Sequence, residues 1–411
     1  MNISWMRWID HKVGNVVCSA FALAKRLESP FARKPDAIKK IAVMKFFGMG
    51  SIVVASPAMA ALRDAYPEAE ILFVTFKANS EILKILALSD RSILIDNSSL
   101  GKFVGTTTRA AYELWSEDVD LALDLEFFAK FPLVLSSLSR IPLKAGFDLI
   151  LEPWRRTLLD VKGSYNHYFH TRDIFLSLVY LLTTDDAYYL DFEAFRQKYQ
   201  YPKIELRDVD RAAVTALLES RGFRRGQKLI VLNPNAAAEL APEVRKWPEE
   251  RYGELAVRIR SEHDDAFVVL IGAPSEKAYV ERIVAHANQR DRIVNLAGAM
   301  SIRELMTMLS MADLFVTNDS GPMHLACLVD VPIVGLFFAE TPVLFAPLAK
   351  RAVSISPDLY SIPLFTVYNG KNMIADMNIA SRTVSVERVM DTVRSSLASP
   401  PTRGSRATPA S

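Results

Sequence analysis

Leu314-Phe315-Val316-Thr317-Asn318-Asp319-Ser320-Gly321-Pro322-Met323-His324 changes character midway. An apolar, β-branched run gives way to a polar turn, and Gly-Pro opens a helical stretch. Such a run suits a strand buried on both faces of a parallel sheet. Proline just inside a helix start is pre-organised for the helical φ. Strand, polar turn and helix start together make the unit of a doubly wound α/β sheet, where ligands gather beyond the carboxyl ends of the strands. Backbone N–H groups of Ser320 and Gly321 are therefore predicted to face an anion, and a diphosphate fits such a site. Like charges repel, so Asp319 is expected either to cap the helix or to bond sugar hydroxyls. His324, one turn in, either reaches a phosphate oxygen or packs in the core.

The same alternation extends in both directions. Strands are predicted at Leu229–Leu232, Phe267–Ile271, Ile293–Leu296 and Ile333–Phe337, and earlier at Ile41–Phe46, Ile71–Phe76, Ile93–Ile95 and Leu121–Leu125, with helical stretches between them. Ser56-Pro57 reads as an N-cap followed by proline at a first helical position. At 411 residues the chain exceeds one ordinary core. The expected organisation is an N-terminal helix over 1–35, one domain over 36–205 and a second over 206–398. A tail at 399–411, rich in Pro, Ser, Thr and Gly, is predicted to be disordered.

Bulk composition excludes several classes. A net charge of +2 provides no global field for nucleic acid. Cys18 and Cys327 lie far apart, and none of the six histidines clusters with cysteine, which argues against a disulfide framework and structural zinc. A reduced, cytoplasmic setting is expected. No run of roughly 18 uncharged apolar residues suggests a spanning helix. Near the N-terminus, Trp5, Trp8, Ile9, Val13, Val16, Val17, Ala20, Phe21 and Ala24 recur at helical spacing, with Arg7, His11, Lys12, Lys25 and Arg26 largely elsewhere. Two readings stay open: a helix lying in the interface of the inner membrane, and a helix packed on the protein's own core. A signal peptide is disfavoured, because Asp10 and Gly14 leave an apolar stretch of only about ten residues.

Four further motifs follow strand ends. Lys45-Phe46-Phe47-Gly48-Met49-Gly50-Ser51 allows close backbone approach to a ligand, but lacks the third glycine and the acid of a dinucleotide fingerprint and the GK[ST] of a P-loop. Asn233-Pro234-Asn235 precedes Arg245-Lys246-Trp247-Pro248, where a cation is available to a leaving diphosphate. Glu276, after Gly272-Ala273-Pro274, is a candidate for ribose hydroxyls. Asp124-Leu125-Glu126 ends a first-domain strand and supplies candidate general bases. Asp118-Val119-Asp120 spells a metal-binding D-x-D pattern but precedes its strand, and reads as a solvated turn.

Taken together, Lys45–Tyr66, Val231–Glu254, Asn295–Leu305 and Ala312–Pro347 resemble glycosyltransferase family 9, the lipopolysaccharide heptosyltransferases, in that order along the chain. N-D-S-G-P-M-H with the R-K-W-P block carries the likeness most specifically. The resemblance implies a GT-B fold of two facing Rossmann-like domains and inverting transfer without a metal cofactor. The donor would be a nucleotide sugar, ADP-heptose in much of the family, and the acceptor a lipid-linked saccharide at the cytoplasmic membrane face. By position it assigns Arg245 to the donor phosphates and Glu276 to the ribose. Asp319, Ser320, Gly321 and His324 fall in the donor loop, with Asn233 and Asn235 beside it. Gly48, Met49, Gly50 and Ser51 form the acceptor-side loop. Ser51 replaces the aspartate the family uses as base, and a serine hydroxyl is no base without an activating partner. Glu126 is the candidate substitute. Phe338-Ala339-Glu340-Thr341-Pro342 lacks a glycine common in the family, so the sugar stays open. A degenerate, non-catalytic nucleotide-sugar binder is the rival reading.

Overall fold

The computed structural model describes residues 3–28, 35, 37–127, 129–149, 152–236, 242–287, 292–358 and 378–398. The predicted tail and the segment 359–377 lie outside these residues. The backbone forms two compact units, Met1–Ile204 and Glu205–Ser411.

In the first unit the strands are β1 (Lys40–Met44), β2 (Glu70–Phe76), β3 (Arg91–Ile95), β4 (Leu121–Asp124), β5 (Leu143–Asp148) and β6 (Val161–Ser164). They form one parallel sheet in the order β3-β2-β1-β4-β5-β6. The second unit repeats the plan. Its strands are β7 (Lys228–Asn233), β8 (Ala266–Leu270), β9 (Ile293–Asn295), β10 (Leu314–Asn318), β11 (Ile333–Leu336) and β12 (Ala352–Ile355), ordered β12-β11-β10-β7-β8-β9. Each unit is thus a Rossmann-like doubly wound domain. In each, the first strand pairs with the fourth, and the winding reverses there: β1 beside β4, β7 beside β10. Loops leaving those strands' carboxyl ends are where such sheets bind ligands.

Strands β5, β6 and β12 are absent from the sequence reading. Leu143-Lys144-Ala145-Gly146-Phe147-Asp148 has no β-branched residue, and tertiary pairing with β4 and β6 overrides its weak propensity. A second correction concerns Pro57, which lies inside helix α2 (Met49–Ala65), following the N-terminal helix α1 (Ile3–Glu28). Proline has no N–H to donate to the Val53 carbonyl four residues back. Ser56 Oγ donates to that carbonyl instead, at 2.7 Å, which keeps the helix continuous.

The N-terminal helix α1 packs on the first unit by the face bearing Gly14, Cys18 and Ala22. A side chain at Gly14 would collide with Lys130, only 2.8 Å from an added Cβ. The Asp10 carboxylate accepts from the backbone N–H groups of Lys130 (2.9 Å) and Phe131 (3.1 Å), at the start of the helix Phe131–Leu138. At the other end Lys25 Nζ donates to Leu158 O at 2.7 Å and to Asp160 at 2.8 Å. No helix among the described residues is long and apolar enough to cross a membrane.

Candidate functional site

At the carboxyl ends of β7 and β10 the second unit gathers a buried polar cluster. Asn233, the last residue of β7, donates through Nδ2 to Thr317 Oγ1 (3.0 Å) and Ser320 Oγ (2.8 Å). Asn318, the last of β10, donates to Pro234 O at 2.9 Å, and its Oδ1 accepts from Trp247 N (3.2 Å) and Tyr252 OH (3.0 Å). These bonds tie the Asn233–Asn235 turn, the Trp247 segment and the Asn318–Ser320 turn into one network. Trp247 anchors it from below, fully buried, with its indole N–H donating to Val384 O at 2.9 Å.

Asp319 is committed to Arg245. Arg245 Nη2 donates to its carboxylate and, at 3.2 Å, to its carbonyl oxygen; both side chains are buried. Asp319 does not cap the following helix: Ser320 is the N-cap residue, and no side-chain capping bond is made. The capping expectation fails because the carboxylate has a stronger partner in the guanidinium. Burial opposes the Arg245 charge, but Asp319 and Glu340 outweigh it and hold its pKa above the usual arginine value. Arg245 Nε has no hydrogen-bond partner.

The helix after the turn is short, Gly321–Ala326, so little macrodipole adds to its free N–H groups. His324 lies inside it, buried, with Nδ1 unpartnered. Burial pushes its pKa down to about 4, helped by Arg245 and opposed by Asp319. His324 is therefore neutral at neutral pH and offers a hydrogen bond rather than a charge. Asn235 is buried in the chain's first turn after β7, with Nδ2 bonded to Ile271 O at 2.8 Å and Oδ1 unpartnered. Glu276 folds back on its own turn, Oε2 accepting from Ala273 N at 2.7 Å. That oxygen, offered to ribose by the sequence reading, already serves the local backbone.

The first unit builds a parallel arrangement at β1 and β4. Glu126 Oε1 accepts three bonds: from Lys45 Nζ (2.7 Å), Phe46 N (2.7 Å) and Phe47 N (2.9 Å). Both partners of the Lys45–Glu126 pair are buried. Glu126 therefore pins the loop leading to Gly48-Met49-Gly50-Ser51 through Oε1. Gly48 has φ +80°, a conformation that favours glycine, and it lets the loop enter α2 at Met49. Ser51 is half-buried in that first helical turn. Asp124, two residues before Glu126, is buried; burial pushes its pKa up to about 7 against the pull of Arg155, 3.8 Å away. Asp120 is no cation ligand here: its Oδ2 accepts from the backbone N–H groups of Lys39 (2.7 Å) and Lys40 (2.9 Å), fixing the start of β1.

Sequence reasoning missed Lys45 as partner of Glu126, Tyr252 and Thr317 as supports of the asparagines, and the ion pair of Arg245 with Asp319. No local pattern signals a partner 74 or 81 residues away.

A family model, glycosyltransferase family 9 (heptosyltransferase), matches residues 184–369, which contain the whole β7–β10 cluster. Lipooligosaccharide heptosyltransferase 2 of Campylobacter jejuni is 24% identical over 292 residues, 70% of this chain and 77% of that protein. Over these residues the chain is similar to glycosyltransferase family 9. Lipopolysaccharide heptosyltransferase 2 of Salmonella typhimurium is 32% identical over a shorter stretch, 117 residues, 28% of this chain and 33% of that protein. Among solved structures, E. coli ADP-heptose lps heptosyltransferase II superimposes with TM-score 0.66 at 18% identity, covering 87% of this chain and 98% of that one. The family 9 glycosyl transferase of Veillonella parvula gives TM-score 0.66 at 20% identity, covering 87% and 97%. At those identities the likeness establishes the fold, GT-B, as the sequence resemblance implies.

Proposed function

We propose that this protein is a family 9 glycosyltransferase that moves a heptose-like sugar from an ADP-heptose-like nucleotide donor to a lipid-linked saccharide, in lipopolysaccharide or surface-polysaccharide assembly. The observation that carries the donor side is the buried network joining Asn233, Asn235, Arg245, Asn318, Asp319 and Ser320 at the β7–β10 switch point. Its relatives' names support the choice of sugar and acceptor: heptosyltransferases of lipooligosaccharide and lipopolysaccharide.

The acceptor hydroxyl attacks the anomeric carbon as the nucleoside diphosphate departs from the opposite side, which inverts the configuration. Ser320 and Gly321 N–H groups and the Arg245 guanidinium meet the charge that develops on the diphosphate. Because Asp319 already balances Arg245, the pair acts as an oriented dipole whose donors point at the leaving group, rather than as a bare cation. Asp319 takes the role of a clamp on Arg245, and its second oxygen is left to sugar hydroxyls. Glu126 accepts the acceptor's proton through Oε2, the oxygen that makes no loop bond, and Ser51 hydrogen-bonds the acceptor beside it. No divalent cation takes part.

The test is turnover with ADP-heptose and a heptose-deficient lipid-linked core saccharide, following ADP release and product mass. Acceptor-dependent ADP release that survives a chelator supports the proposal, as does an inverted anomeric centre by NMR. Donor binding without turnover on any acceptor would instead fit the non-catalytic reading, and loss of activity on chelation would overturn the metal-free mechanism.

A further inference from the structure

Helix α1 carries a second, outward face. Val13, Val16, Leu23 and Leu27 are 48%, 71%, 61% and 72% exposed, and Ala20 and Ala24 are exposed with them. Positions 13, 16, 20, 23 and 27 follow alternating steps of three and four, which keeps them on one narrow stripe along the helix. The opposite face is already used: Cys18 and Ala22 pack against Leu133, Leu158 and Leu159, Gly14 sits against Lys130, and the Asp10 and Lys25 bonds fix the helix at both ends. The stripe therefore cannot turn inward.

We infer that this stripe docks α1 on an anionic lipid surface. A seam with this spacing would also suit a second copy of the helix, and charge decides between them. One flank holds Ser19 and the exposed Arg26, the other Val17 and Ala24. Asp10 is the only acid between Ile3 and Leu27, and its carboxylate is turned inward onto Lys130 and Phe131. The flanks of a second copy, Ser19 and Arg26 on one side and Val17 and Ala24 on the other, would offer Arg26 no acid to pair with, as flanking positions in paired helices require, and Glu28 falls at the helix end beyond the stripe. Anionic headgroups would offer one, with the apolar stripe entering the acyl boundary beneath them. The partner is thus the membrane that carries the lipid-linked acceptor; that last identification rests on the proposed function, whereas the binding itself does not.

The full-length chain is sedimented with phosphatidylcholine vesicles, with and without phosphatidylglycerol, and its mass in solution is measured by light scattering. Expected are a monomer and at least about tenfold stronger binding to the anionic vesicles, lost in Val16→Gln/Leu23→Gln and weakened in Arg26→Gln. Melting temperature is unchanged in the double variant, whose side chains face outward; Arg26 also donates to Thr157 Oγ1 at 3.2 Å, so its variant is compared at equal folded fraction. Absence of binding to anionic vesicles overturns the inference. So does equal binding to both vesicle types, or a dimer that the double substitution dissociates. Transfer onto a delipidated, soluble acceptor is assayed alongside: loss there speaks against the proposed function and not against the lipid contact.

Discussion

Arg245 and Asp319, 74 residues apart in the chain, are joined twice: the guanidinium Nη2 donates to both the carboxylate and the backbone carbonyl of Asp319. The pair fixes the loop after β10 against the segment before Trp247. It also sets the charge of the β7–β10 cluster, because the cation proposed for the diphosphate arrives with its own counter-ion.

Removing one partner leaves an uncompensated buried charge. Asp319→Asn should lower unfolding free energy by about 3 kcal/mol or more, whereas Arg245→Met/Asp319→Leu should recover much of the loss. Urea denaturation reads both. Donor binding should stay impaired in the double variant; recovery of binding together with stability would show that the pair only holds the fold.

Glu126→Gln keeps an oxygen for Phe46 N and Phe47 N but removes the base. We expect kcat to fall by about 10²–10⁴ with the donor dissociation constant nearly unchanged. Ser51→Asp in that background restores a carboxylate where the family has one and should return part of the rate. A variant whose kcat is near wild type would assign Glu126 to loop positioning alone.

Two buried groups give stability an opposed pH dependence. His324 has a folded pKa of about 4 against an ordinary value of 6.5. Between these values the unfolded chain binds a proton that the folded chain does not, so stability falls by about 3 kcal/mol as pH drops through the window. Asp124, with a folded pKa of about 7 against 3.8, works the other way: the folded chain keeps a proton the unfolded chain has lost, and stability falls as pH rises. Relative to wild type, His324→Asn should therefore gain stability on going from about pH 7 to about pH 5, and Asp124→Asn should gain on the reverse path. Chemical denaturation at the two pH values checks both; a pH-independent difference for either variant assigns its loss to packing alone.

Gly298 has φ +73°, and an added Cβ would lie 2.7 Å from the backbone of Pro274. Gly222 also has positive φ (+95°) but open space around it. Gly298→Ala should cost about 2–3 kcal/mol more than Gly222→Ala, because strain is common to both and the collision is not. Equal melting shifts would show that the Pro274 turn yields easily, leaving the nearby Asn235 and Glu276 less firmly placed than their bonds suggest.

The strands at the two switch points were legible because Ile41–Met44 and Leu229–Leu232 are continuous apolar runs, whose burial on both faces needs no partner to be inferred. Leu143–Asp148 was not, because a strand with lysine, glycine and aspartate is made by its neighbours. The N-terminal periodicity was visible, yet its orientation turned on small residues: Gly14, Cys18 and Ala22 permit close docking, and the bulkier face points out. At the candidate site, residue types and positions could be read from motifs. Their pairing could not, since Glu126 meets Lys45, and Arg245 meets Asp319, only through strand order. Hence Asp319 read as a cap or a sugar ligand rather than as the partner of Arg245, and Glu276 as freer than its bond to Ala273 N leaves it.

Whether the β7–β10 cluster grips a nucleotide-sugar diphosphate is tested most directly by thermal unfolding with ADP-, UDP-, GDP- and CMP-sugars on wild type and Arg245→Met/Asp319→Leu. The double substitution removes the guanidinium offered to the diphosphate together with its buried counter-ion, and so leaves no unpaired charge. A donor present at a hundred times its dissociation constant should stabilise wild type by about 2.7 kcal/mol, with ADP-heptose the strongest, and the variant much less. No response to any nucleotide sugar, or an equal response in both proteins, would contradict the account.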